Sequence, residues 1–510
     1  MAAETIAALL AERTAADPSL EAIVGDDGRL TYAELDDRSA AAAGWLVARG
    51  IAPGDRVALL APNGLRWLAV ACAVMRISAV LVPLSTLLRR PELGAQLAVA
   101  KVRALIAVDQ FRGRDWAAEI ASLDSTALTA LRHVWSLNDV GEDRSPAIVR
   151  QVKAMGDAVR PDDDMAVLFT SGSSGTPKGA IHTHGGALRA TAAGVEERCI
   201  RHGTRLYLPM PFFWMGGFGG GIISALVAGA TLLTEAAPDP ERTLAFISRE
   251  GATLFRGWPD QAAQIAAHPD FARTDLSKLT AGSLDPLLPP ALRSKPGSRA
   301  KLFGMTESFG PYCGYPLDRD MPTDKWGSCG RPFAGTRLRI VDPETQQVLA
   351  PHAQGSIQIA GANLMRGFCG RDSAEIFTAD GWYDTGDFGH VDENGFLYYV
   401  GRRDDMIKLK GATVYPSEVE AALVTIPGVN RALATDLIFD NAVALGAVVI
   451  ADPATMQMST LVAEAKQRLS AFKVPTHWAI LDSIDQIPTT GAGKVDKPAL
   501  RSLLLAAAPR

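Results

Sequence analysis

Cysteine is scarce and unpatterned in this chain: five residues in 510, at positions 72, 199, 313, 329 and 369, with no Cys-x-x-Cys pair and an odd count. That argues against a disulfide framework and against a thiolate zinc site, and it suits a reducing compartment. Long apolar runs are missing as well. The most notable, residues 67–75, stops at Arg76 and is too short to span a bilayer. There is no surplus of positive charge: 51 Lys and Arg against 56 Asp and Glu leave a net charge of −5, with no footprint for nucleic acid or an anionic membrane. The opening Met1-Ala2-Ala3-Glu4 lacks the basic start and apolar core of a signal peptide. These absences lead to the expectation of a soluble cytoplasmic protein without an integral membrane segment.

What is present is ordinary in bulk, with 47% hydrophobic and 21% charged residues. A chain of 510 residues is too long for one compact core, so at least two domains are expected. Apolar periodicity predicts amphipathic helices over 5–15 and 33–49, a strand over 56–60, a helix over 65–75 and a strand over 80–83. The alternation recurs as strand 206–208, helix 221–228, strand 231–233 and helix 240–249. Such an order predicts mostly parallel sheets covered by helices. From 327 to 400 short alternating segments such as 338–341 and 356–359 read as a small β-barrel. After the charged run Gly401-Arg402-Arg403-Asp404-Asp405 comes a remainder of about a hundred residues, roughly one small domain, reading helix 417–425, strand 445–450 and helix 460–470. The fold expected is α/β: a large N-terminal domain (1–402) of two helix-covered sheets plus the barrel, hinged to a small α+β domain (403–510).

The most informative stretch is Thr170-Ser171-Gly172-Ser173-Ser174-Gly175-Thr176-Pro177-Lys178-Gly179, which follows the apolar run Ala166-Val167-Leu168-Phe169. Glycines let backbone amides approach a ligand closely, small hydroxyls add donors without bulk, and Lys178 adds a compact positive charge. That combination cradles polyphosphate. A Gly/Ser linker has no need of a proline, a lysine and a buried strand leading in. The loop is not a Walker A motif, because from Gly172 the required Gly-Lys pair falls at Pro177-Lys178. A second decoy, Thr490-Gly491-Ala492-Gly493-Lys494, has Pro488 where the leading glycine belongs and Val495 where Ser or Thr must follow.

Further clusters stand in order along the chain: Leu30-Thr31-Tyr32-Ala33-Glu34-Leu35, Pro53-Gly54-Asp55-Arg56-Val57, Phe303-Gly304-Met305-Thr306-Glu307, Tyr383-Asp384-Thr385-Gly386-Asp387, Gly401 to Lys408, and Pro488 to Lys494. With the phosphate loop, they make the chain resemble the adenylate-forming superfamily of acyl-CoA synthetases, adenylation domains and firefly luciferase, over nearly its whole length. Any one motif is weak evidence; five in the family's order are strong.

The resemblance implies an acid–CoA ligase. A carboxylate attacks the α-phosphate of ATP to give acyl-adenylate and pyrophosphate, and the thiol of coenzyme A then displaces AMP. The phosphate loop, from Thr170 through Ser171, Gly172, Ser173, Ser174, Gly175 and Thr176 to Lys178, would hold the β- and γ-phosphates. Glu307 is a hard carboxylate suited to Mg²⁺ on ATP, and Thr306 can donate to a phosphate oxygen. On its own Glu307 would read as an acid starting a helix after a turn. Phe303 offers a flat face to adenine where the family more often has tyrosine, with Gly304 and Met305 beside it. Gly282 and Ser283 match a segment lining the adenine and acyl pockets; an ordinary loop is the alternative. Asp387 can accept two hydrogen bonds from a ribose diol, with Arg402 at the same end; on its own it is a turn aspartate.

Lys494 matches the family's catalytic lysine. Negative charge crowds the α-phosphate during in-line attack, and an ammonium delivered there stabilises the transition state more than the ground state. An isolated lysine would be a solvated surface residue. Asp404 matches the hinge, and Lys410 and Gly411 match the segment linked to the second half-reaction, where a residue without a β-carbon leaves room for a pantetheine arm.

The segment from Leu208 to Phe218 occupies the family's substrate wall. Trp214 stands where many members carry histidine, and with Gly217, Phe218, Trp258 and Phe309 it implies a pocket for an apolar acid, although aromatic core packing explains any single member equally well. Asp260 and Asp285 leave open the activation of an amino acid. His182 and His184 lack Cys or carboxylate companions at ligand spacing and read as structural or pocket-edge residues. The rivals are a free-standing enzyme that loads a carrier protein, a luciferase-like oxidative enzyme, a non-catalytic nucleotide sensor and a kinase. The sequence leaves the identity of the acid and the oligomeric state open, a homodimer included.

Overall fold

The computed structural model describes residues 3–170, 177–403, 405, 407–409, 412–439, 442–490 and 494–507. The chain forms two compact units: Met1–Arg337 with Ala360–Tyr383, and Leu338–Ile359 with Asp384–Arg510. The joint expected at 402/403 thus falls inside the second unit.

The first helix, Ile6–Ala16, begins where the Thr5 side chain accepts the Ala8 N–H. The second, Tyr32–Val47, starts in a capping box in which Thr31 and Glu34 satisfy each other's backbone donors. Their apolar faces meet in one large core with Leu9, Leu10, Leu35, Trp45, Trp67 and Met75. Tyr32 is fully buried there, and its hydroxyl donates to the Ala230 carbonyl at 2.8 Å.

Two sheets carry the first unit. One runs Leu254–Phe255, Arg205–Tyr207, Thr231–Leu233, Glu21–Gly25 and Gly28–Thr31, parallel except for the last hairpin. The other runs Gly367–Phe368, Lys178–Thr183, Asp164–Thr170, Val80–Leu84, Arg56–Leu60, Ala104–Ala107 and His133–Ser136. Its five strands from Asp164–Thr170 onward are parallel, and the first two are antiparallel to their neighbours. Strands buried on both faces read as continuous apolar runs, which is why 56–60 and 80–83 were visible as such. Pro83 has no N–H to give, and the ladder between Val80–Leu84 and Asp164–Thr170 is a single pair, Leu81 with Ala166. The two helix-covered, mostly parallel sheets agree with the expectation.

The stretch expected to form a small barrel, 327–400, contributes Arg331–Pro332 to a sheet with the preceding Phe303–Met305 and Gly310–Gly314, and forms a four-stranded sheet of Arg337–Val341, Gly355–Ala360, Tyr383–Val391 and Leu397–Arg402. The C-terminal part is α+β. Strands Arg431–Phe439, Ala442–Ile450 and His477–Leu481 form a sheet, and apolar residues of helices Pro416–Val424, Met458–Arg468 and Lys497–Ala506 pack into its cores. Among the described residues no helix is long and apolar enough to cross a membrane.

Candidate active site

In the first unit the site grows from the ends of strands. Asp164–Thr170 and Lys178–Thr183 pair as a hairpin with Thr170 opposite Lys178 and Phe169 opposite Gly179, so both ends of the phosphate loop are pinned side by side. Ser171, Gly172, Ser173, Ser174, Gly175 and Thr176 lie outside the described residues, as do Asp404, Lys410 and Gly411. The turn Thr306–Ser308 lies against the strand that ends at Thr170. It presents Glu307, only 8% exposed, whose carbonyl accepts the Met365 N–H at 2.8 Å. The following residue, Phe309, is buried with φ +54°, a left-handed conformation that costs a bulky residue roughly 1–3 kcal/mol and clusters at functional sites.

Phe309 joins the turn to the aromatic segment expected to wall the pocket. Its ring meets His182 edge-on at 5.0 Å and Phe218 at 5.9 Å. Phe218–Ile223 is a π-helical turn, a distortion that recurs at functional sites. On the other side Trp214 meets Trp258 at 5.9 Å, with Trp258 41% exposed. Phe303 packs edge-on against Tyr312 at 5.6 Å. The Ser283 hydroxyl accepts the Phe255 N–H at 3.1 Å, and the Gly282 carbonyl accepts from Arg256 at 2.8 Å. Gly217 is buried at the foot of the wall. Arg256 was not singled out from sequence; the available signal was a lone cation between a two-residue strand and Gly257-Trp258-Pro259.

His182 and His184 are buried, and burial pushes their pKa values down to about 3 and about 4. His184 Nδ1 accepts the Ile6 N–H at 3.2 Å, a bond available only to the unprotonated nitrogen.

In the second unit Asp387 and Arg402 stand opposite each other on the pair Tyr383–Val391 and Leu397–Arg402, with their charges 3.3 Å apart. Asp387 is 5% exposed, and its N–H donates to Thr385 Oγ1 at 3.1 Å. Lys494 is exposed at the end of a tight reversal, closed by the Thr490 N–H on the Lys494 carbonyl at 2.7 Å and a bridge from Thr489 to Val495.

Mg²⁺ is held by one or two carboxylates plus phosphate and water oxygens rather than by an all-protein cage. Glu307 is a carboxylate in a turn that lies against the strand Asp164–Thr170, and among the described residues no group of three His, Cys, Asp or Glu could cage an ion.

Residues 10–369 match the family model described as AMP-binding enzyme. The chain belongs to the AMP-binding enzyme family. It is 33% identical over 507 residues to the 3-[(3aS,4S,7aS)-7a-methyl-1,5-dioxo-octahydro-1H-inden-4-yl]propanoyl:CoA ligase of Mycobacterium tuberculosis, covering 95% of this chain and 96% of that one. It is 34% identical over 499 residues to feruloyl-CoA synthase of an Amycolatopsis species, covering 96% and 97%. Among solved structures, Mycobacterium tuberculosis fatty acyl CoA synthetase superposes with a TM-score of 0.73 at 26% identity, over 99% of both chains. An anthranilate CoA ligase shares the fold, with a TM-score of 0.81 at 22% identity over 98% of both chains. The AMP-binding enzyme is accordingly an ATP-dependent carboxylic acid–CoA ligase that uses Mg²⁺, and its reaction is adenylation followed by thioester formation.

Proposed function

We propose that this ligase activates an acid with a largely apolar, ring-sized body, and that the work is divided as follows. Residues 170–179 hold the β- and γ-phosphates, Phe303 receives adenine, Asp387 and Arg402 bind the ribose, and Glu307 with Thr306 holds the metal and the phosphates. Mg²⁺ supplies charge neutralisation on the phosphate oxygens. Lys494 stabilises the charge that develops on the α-phosphate as the acid attacks. Asp404 serves as the hinge ahead of a mobile domain 403–510, and Lys410 and Gly411 serve thioester formation. The cytoplasm, where ATP and reduced CoA are both available, is the expected location.

The observation that carries the choice of acid is the aromatic wall. Trp214 with Trp258 and Phe218 with Phe309 form two edge-on pairs, the second one residue beyond the Glu307 turn. Aromatic faces grip flat or bulky apolar bodies well. The two curated relatives act on a bicyclic dioxo acid and on a feruloyl group by their names.

Pyrophosphate release across short aliphatic, long aliphatic, aryl and fused-ring acids, with and without CoA, tests the proposal. Aryl or fused-ring acids are expected to lead, with AMP release completed only when CoA is present. A preference for short aliphatic acids would sink the wall assignment, and adenylate that CoA fails to discharge would favour a carrier-protein acceptor.

A further inference from the structure

An ionised guanidinium enclosed by protein is costly without a counter-charge, so enclosed arginines are normally paired. Two arginines of the first unit, Arg198 (buried) and Arg256 (half-buried), have no such partner among the described residues. Arg198 leaves the C-terminal end of helix His184–Gly194 and has neutral acceptors only: the Gly194 carbonyl at 2.9 Å, Ser224 Oγ at 3.0 Å and the Thr191 carbonyl at 3.2 Å. Arg256 makes a single hydrogen bond, from Nη1 to the Gly282 carbonyl at 2.8 Å. Among the described residues no carboxylate lies within ion-pair distance of either side chain. Burial pushes both pKa values down to about 10, and the charge of Arg256 adds to the depression at Arg198. Both remain cations at neutral pH.

Among the described residues four of the five N–H donors of Arg256 thus have no protein acceptor, and its neighbours are residues proposed above to line the acyl pocket. Trp258, two positions on, meets Trp214. Its acceptor Gly282 adjoins Ser283. Gln261, on the helix Pro259–Ala266 that follows, buries an Oε1 with no partner. The Ser224 hydroxyl bound by Arg198 closes the π-helical turn through the Gly219 carbonyl. A wholly hydrocarbon acid would leave the Arg256 charge unanswered.

We propose that Arg256 binds an acceptor oxygen carried on the acyl body of the substrate, distinct from the carboxyl that is activated. The ligase thus selects oxygenated acids, bearing a ketone or a second carboxylate, within an otherwise apolar pocket. This rests on the acid–CoA ligase reading of the same site and narrows its substrate class.

Three acids on one ring skeleton make the test: unsubstituted, ketone-bearing and carboxylate-bearing, assayed with the full chain as wild type, Arg256→Leu and Arg256→Gln. A site built to hydrogen-bond a substrate oxygen discriminates strongly against the analogue lacking it. Wild type should favour at least one oxygenated acid by about tenfold or more in kcat/KM, expressed mainly in KM. Arg256→Leu should erase that ratio, and Arg256→Gln, with a neutral donor retained, should fall between. A ketone preference assigns a neutral acceptor and a carboxylate preference an anionic one; both support the role. An unchanged ratio in Arg256→Leu, or a wild type that favours the unsubstituted acid, overturns it. If Arg256→Leu does not fold, the Arg256→Gln ratio decides alone. Absence of acid-dependent AMP release from wild type would instead strike the ligase reading, and calorimetric binding of the same acids then decides the role of Arg256 by the same ratio.

Discussion

Lys494 and Phe309 represent two kinds of functional residue. Lys494 is exposed, and the reversal that carries it is closed by backbone, through the Thr490 N–H and the Thr489–Val495 bridge. Truncating its side chain should therefore leave stability within about 0.5 kcal/mol. Its proposed role is electrostatic, and loss of one such group costs about 10²–10³ in rate. Lys494→Ala should lower acid-dependent pyrophosphate exchange by that factor while thioester formation from supplied acyl-adenylate largely persists. Exchange at the wild-type rate would end the assignment. Lys494 was legible in the sequence because its neighbours form a motif. Phe309 was legible only as an aromatic: its left-handed backbone follows from the tight turn Thr306–Ser308, whose geometry a pattern of residue types does not encode. Arg256 was less legible still, since a half-buried charge without a carboxylate partner is defined by what three-dimensional packing fails to bring near it.

At the level of elements, sequence patterns gave boundaries well where a cap or a proline fixes them. Helix Pro240–Arg249 starts at its proline after an Asp239 cap, as expected. The segment 221–228 read as a plain helix, whereas it opens as the π-helical turn Phe218–Ile223 and becomes α-helical only over Ser224–Ala228. Glycines at 219, 220 and 221 supply no side-chain periodicity from which a change of pitch could be read. The adjoining glycines separate two meanings of a small residue. A Cβ on Gly217 would stand 2.0 Å from the Pro211 carbonyl oxygen, and one on Gly216 would stand 2.4 Å from Met210 Sδ. Backbone cannot yield cheaply, but the end of a methionine side chain can. Gly217→Ala should raise the KM for the acid several-fold and cost roughly 1–3 kcal/mol, the usual range for overpacking. Gly216→Ala should cost under about 1 kcal/mol by the same reasoning. Equal effects of the two substitutions on KM and on the urea midpoint would show that the wall is not held by backbone contact at Gly217.

At the scale of the whole molecule, the two buried histidines tie stability to pH. Both have folded pKa values below the ordinary value near 6.5, about 3 for His182 and about 4 for His184, through burial; nearby Asp163 opposes the shift at His184 and the Thr306 backbone opposes it at His182. Across the interval from 6.5 down to those values the unfolded chain binds protons that the folded chain refuses, so stability falls as pH falls through it. Between pH 7.5 and 5.5 each histidine should remove about 1.4 kcal/mol, about 3 kcal/mol together. Carboxyls raised by burial, such as Glu235 and Asp164, act in the opposite direction, since the folded chain takes up their protons more readily than the unfolded one. His184 resists clean replacement because its Nδ1 satisfies the Ile6 N–H. His182 Nε2 has no partner, so His182→Leu removes the titrating group at the loss of the Thr306 backbone bond alone. Urea midpoints followed by tryptophan fluorescence should drop between pH 7.5 and 5.5 in wild type, and by about half as much in His182→Leu. A wild-type midpoint that does not move over this interval, or a His182→Leu midpoint that drops as far as wild type, would mean that His182 is not held neutral beneath the Thr306–Ser308 turn.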